Sequence, residues 1–116
     1  MSLDISLHHD RACPLCKRHG NFPAWEANIT HNLGAMAREA GIYSALWRPQ
    51  ESGIETADQL LQVVAGGLAL MKSEPERFKK HDAPNGWGTY GDFVPWLQEL
   101  CEACERYPKC FISVSV

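Results

Sequence analysis

The pattern that most restricts how this chain can fold is an alternation of apolar and polar residues close to both of its ends. Over residues 2–8, Leu3, Ile5 and Leu7 fall on one side, which is the two-residue period of a half-buried strand. Trp25, Ala27 and Ile29 alternate with Glu26, Asn28 and Thr30 over residues 24–30, and Ile112, Val114 and Val116 alternate with Phe111, Ser113 and Ser115 over residues 110–116. A hairpin made of the first two segments alone would be marginal in water. The third segment therefore has to pair with them, and everything in between must return the chain to the same sheet. With 116 residues, no internal repeat and no linker, the expectation is one α+β domain spanning 1–116. Its small antiparallel sheet of about three strands would pack against three to four helices.

The intervening sequence has helical periods. Leu33, Met36, Ala37 and Ala40 recur at i, i+3, i+4 and i+7 behind the capping residues Thr30 and Asn32, and Gly41 supplies a stop. Residues 42–47 extend this by a turn or two before Pro49. Thr56 and Gln59 form a capping box ahead of a run through Leu60, Val64, Leu68 and Met71, which predicts the main core helix over 57–72. Its Gly66-Gly67 pair lowers helix propensity but lets another backbone come close. Ser73, Pro75 and Glu76 predict a short helical turn, and Pro84, Asn85-Gly86 and Gly88 a turn-rich loop. Phe93, Trp96, Leu97, Leu100, Cys101 and Cys104 then define a last helix. A start near Asp92 would keep Pro95 in its first turn, whereas an earlier start would lose a backbone hydrogen bond there and bend the helix.

Composition narrows the function classes. Eleven basic against fourteen acidic side chains leave a formal charge of −3, without the positive excess that phosphate neutralisation needs, which argues against a nucleic-acid partner. The longest apolar stretch, residues 60–71, is broken by Gln62 and too short to span a bilayer, so no membrane partner is expected. Five cysteines are an odd number in a chain that opens with no export signal. That argues against a complete disulfide framework and makes the cytoplasm the expected compartment.

Two C-x-x-C pairs invite a zinc reading. Cys13 and Cys16 lie in residues 9–23, a long segment of neither period, with His19 just beyond and His8 and His9 just before. Two thiolates and two imidazoles, from Cys13, Cys16, His19 and either His8 or His9, suffice for a closed tetrahedral zinc site. The alternative is a pair of solvent-facing thiols or a reversible disulfide. Cys101 and Cys104 share the apolar face of the last helix and read as small buried hydrophobes.

Ligand chemistry is suggested at two other places. Asn28, His31 and Asn32 run from a strand end into a helix start, where backbone donors and an imidazole can meet a polar ligand. Trp87 and Tyr90 sit among glycines that can present aromatic faces, or that let Trp87 turn inward as a roof on the core. The leading reading is a non-enzymatic binding or accessory module for a protein or small-molecule ligand. The alternative is a small hydrolase or transferase using His31 in a polar-aromatic pocket. An HNH-like metal-dependent nuclease ranks below both, since the paired Asp-His pattern and the basic excess are missing. No phosphate-binding glycine loop, nucleophile elbow or H-E-x-x-H occurs.

Asn28-Ile-Thr-His-Asn-Leu33, Ala40-Gly-Ile-Tyr43 with Leu46-Trp-Arg-Pro49, and Asn85-Gly-Trp-Gly-Thr-Tyr90 together resemble a group of small uncharacterised bacterial and phage proteins. The resemblance covers roughly residues 24–116, implies no activity, and leaves the Cys13-Cys16 segment outside it.

Metal analysis of purified protein checks the zinc reading. Zinc is expected to disappear in Cys13→Ser and to persist in Cys101→Ala, because only the first pair lies off an apolar helix face. Metal-free wild-type protein would remove the idea.

Overall fold

The structure is a computed structural model and describes residues 2–8 and 24–115. Strands β1 (Ser2–His8), β2 (Trp25–Thr30) and β3 (Phe111–Ser115) form one antiparallel sheet in the order β2-β1-β3. The register sets Leu3 opposite Ile29, Ile5 between Ala27 and Val114, and Leu7 between Trp25 and Ile112. Leu3, Ile5 and Leu7 are almost completely buried. Ser2, Asp4, Ser6 and His8 point to the other face, as the period of two requires.

Among the described residues five α-helices cover the apolar face, against the three to four expected. They are α1 (Gly34–Glu39), α2 (Tyr43–Trp47), α3 (Ala57–Ser73), α4 (Pro75–Lys79) and α5 (Tyr90–Arg106). The extra count comes from the chain's turns. Gly41, at φ 75°, ends α1 before α2 starts, and Pro75 begins α4 as a separate turn after α3. The long helices α3 and α5 pack side by side. Leu60, Val64, Leu68 and Met71 face inward from α3, and Phe93, Leu97, Leu100 and Cys104 from α5.

The start of α3 is tied to the end of the chain. Its first-turn amides have no partner inside the helix. Ala57 N–H donates to the Cys110 carbonyl at 2.9 Å and Asp58 N–H to that of Pro108 at 2.9 Å. Gln59 Oε1 accepts from Glu55 N–H at 2.7 Å and Thr56 N–H at 3.2 Å, which is the Gln half of the expected capping box. Ile112 N–H then reaches the Glu55 carbonyl at 3.0 Å, so β3 begins against the residue before the cap.

Helix α5 starts at Tyr90 rather than near Asp92. Thr89 is its N-cap, with a hydroxyl that accepts from Asp92 N–H at 3.2 Å. Pro95 consequently lies in the helix body and leaves the Gly91 carbonyl without a helical donor. Both Gly91 and Pro95 are exposed, so that carbonyl faces water.

A charged group links α1 to α4. Glu39 Oε2 accepts from Arg77 Nη2 at 2.7 Å and Nε at 3.0 Å, while Oε1 lies 3.4 Å from His81 Nε2 and 3.9 Å from Lys80 Nζ. The Arg77 bonds, then His81, hold the Glu39 carboxyl below its ordinary value. The tie is therefore present above the unfolded carboxylate range and is lost as pH falls through Glu39's own lowered value.

The two central glycines of α3 have opposite surroundings. A Cβ on Gly67 would overlap the Ile42 side chain and press on the Ala40 carbonyl at 3.3 Å, whereas one on Gly66 would meet nothing within 4 Å. Gly66→Ala is expected to raise unfolding free energy by up to ~1 kcal/mol through helix propensity. Gly67→Ala is expected to lower it by about 1–3 kcal/mol through overpacking. Urea denaturation of the two variants checks both signs.

Candidate functional site

The strand-to-helix junction and the glycine-rich loop meet. Thr30 ends β2 in an extended conformation, and its hydroxyl accepts from Asn32 N–H at 3.3 Å, which starts a 3₁₀ turn over His31–Leu33. The Asn32 side chain, freed from capping, donates from Nδ2 to the Trp87 carbonyl at 2.8 Å, across 55 residues of sequence. On the loop side, Trp87 N–H donates to Asn85 Oδ1 at 2.9 Å, and Ala83 bonds through its N–H to Gly88 and through its carbonyl to Gly86. Gly88 is buried at φ 108°. A Cβ there would stand 3.0 Å from Asn32 Cβ and 3.1 Å from Thr30 Cγ2, so only glycine fits the contact without displacement.

This clasp fixes the Trp87 backbone and leaves the indole out. Trp87 is 72% exposed, which corrects the reading that has it turn inward as a roof on the core. The physical reason is the positive φ of Gly86 and Gly88 on either side, which commits the loop to a turn whose tip points to solvent. Asn85 and Gly86 are exposed beside it.

The remaining ligand candidates are placed elsewhere. Half-buried His31 sets its ring edge-on to Trp47, with centroids 6.1 Å apart. Its Nε2 is sealed from solvent and has no hydrogen-bond partner among the described residues. Tyr90 turns its hydroxyl to the Met71 carbonyl at 3.0 Å, and its N–H to Asp82 Oδ1 at 2.7 Å, so it moors the loop to α3. Asn28 Nδ2 donates to Asp4 Oδ1 at 2.6 Å and Ser2 Oγ at 2.8 Å on the outer face of the sheet. Asp4, Ser6, Glu26, Asn28, Ser113 and Ser115 line a shallow groove of about 340 Å³ there. Of the five residues, the described contacts bring together Asn32 and Trp87.

Two features escaped the sequence reading. Arg38 lies 4.0 Å over the Tyr43 ring, which stacks on Trp47 at 5.0 Å, so that His31 ends a continuous Arg-Tyr-Trp-His row. The i, i+4 spacing of Tyr43 and Trp47 was its local signal. The Glu39-Arg77-His81 group had none, because Glu39 lies 38 residues from Arg77 and 42 from His81.

Cys13, Cys16, His19 and His9 lie outside the described residues. His8, the remaining zinc candidate, places Nε2 2.8 Å from Ser6 Oγ. Among the described residues no group of three or more His, Cys, Asp or Glu side chains is positioned to hold a metal ion. Cys101 and Cys104 are free and buried, and Cys110 is buried. Burial pushes the Cys104 thiol up to about 12 and raises those of Cys101 and Cys110, which disfavours the nucleophilic thiolate. Among the described residues no helix is long and apolar enough to cross a membrane.

Comparison with known proteins finds no matching family, curated protein or solved structure.

Asn32→Ala is expected to cost about 0.5–1.5 kcal/mol, the net worth of one hydrogen bond, and to speed amide exchange at Gly86 and Trp87. Gly88→Ala should disturb the same amides more, by adding the strain of a left-handed alanine. Hydrogen exchange read by NMR separates the two.

Proposed function

We propose that this chain is a non-enzymatic binding module that presents Trp87 as the anchor for a protein partner. The observation that carries the reading is a 72% exposed indole on a backbone hydrogen-bonded on both sides. A lone exposed apolar residue is ordinary on a protein surface. An aromatic held on a preorganised loop is less so, because the entropy of ordering it is spent in folding and not on binding. Tryptophan is among the side chains most enriched at interface hot spots, where truncation typically costs ~2 kcal/mol or more.

An acid-base role for His31 draws less support, since a general base needs a ring nitrogen within reach of its substrate and Nε2 is sealed beside Trp47. Zinc on Cys13, Cys16, His19 and His8 would be structural in such a module, since four protein ligands leave no open position for substrate.

Trp87→Ala is expected to keep the melting temperature of the wild type to within about 2 °C, as surface substitutions do. A photo-crosslinking residue at position 87 should capture a discrete protein from cell extract that the same residue at Glu51 does not. A fall of many degrees in Trp87→Ala would make the indole a cover for the fold. Indistinguishable capture at the two positions would remove the binding reading.

A further inference from the structure

The solvent side of α3 differs from that of α5. On α5 the exposed positions include Asp92, Glu99, Glu102, Glu105 and Arg106, the charged surface of a solvated helix. Among the seventeen residues of α3 only Asp58, in the first turn, and Lys72, in the last, are charged. Asp58, Gln62, Ala65, Ala69 and Lys72 follow one another at spacings of four, three, four and three, so they form a single stripe along the helix, and all five are exposed. Gly66 lies beside the middle of the stripe, with open space where a side chain would be. A glycine there weakens the helix.

The charges select the occupant. Ala65 is equidistant from Asp58 and Lys72, and neither charge makes an ion pair among the described residues. We infer that α3 docks antiparallel on α3 of a second copy of this chain, about a two-fold axis at Ala65. Each Asp58 then faces the other copy's Lys72, and the alanines and Gly66 let the backbones approach to about 8 Å. A parallel arrangement would oppose like charges at both ends. The antiparallel one also sets the helix dipoles head to tail.

Size sets the strength. A helix of seventeen residues is about 25 Å long, and one such pair buries well below the ~1,200 Å² of a standard stable interface. The dimer is therefore weak, with a Kd of micromolar or above.

Sedimentation equilibrium of the whole protein up to about 1 mM tests this. The wild type should show a monomer-dimer equilibrium. Ala65→Lys, which brings two cations together on the axis, should raise Kd by about tenfold or more with helix content by circular dichroism unchanged. Lys72→Glu should weaken association, and the double variant Asp58→Lys with Lys72→Glu should restore it. A wild type monomeric throughout, or association untouched by Ala65→Lys, overturns the proposal. Association weakened by Ala65→Lys but indifferent to the charge reversals overturns the antiparallel arrangement.

Discussion

The two backbone bonds from Ala57 and Asp58 to Cys110 and Pro108 hold the rest of the architecture in place. A helix start has amides that its own turns do not satisfy, and a buried amide without a partner is costly. In this chain the segment between α5 and β3 supplies the acceptors, so beginning the core helix and placing the last strand are one event. The strand then leaves Cys110 in the right direction for Ile112 and Val114 to face Leu7 and Ile5. Without it β1 would have one partner, and the sheet would be the marginal hairpin that its sequence alone permits.

Much of this was legible because burial imposes a period. Leu3, Ile5 and Leu7 could only be a strand face, and the apolar face of 57–72 only a helix. Cys101 and Cys104 fell on an inward stripe and are buried. What escaped the sequence was the choice of long-range partners. Nothing near Asn32 says that its amide will find the Trp87 carbonyl, and nothing near Glu39 points to Arg77. The start of α5 had two readings, and Pro95 does not decide between them on its own. A proline in a helix body is disfavoured by an average cost, but at Pro95 the orphaned carbonyl faces water and the cost is reduced.

The candidate site shows the same division. Asparagine and glycine at the 85–88 loop were read as turn residues with something left over, and the folded loop divides them that way. The Asn85 side chain, the glycines and the Asn32 amide are all engaged in fixing the turn. Tyr90 is spent on Met71 and His31 on Trp47. The Trp87 indole alone is left at the tip. Its direction could not be read from composition, since glycines on both sides permit either outcome and only their positive φ angles decide it.

The position of β1 in the sheet has a consequence for biosynthesis. It precedes both of its neighbours in the chain and occupies the middle of the sheet, yet one of them is made of residues 111–115. The β1-β2 pair can form early, while the opposite edge of β1 stays an open ladder until residues 111–115 are made. Open edges are where chains pair with one another by mistake. The bonds from Ala57, Asp58 and Ile112 that seat β3 against the start of α3 are what close that edge.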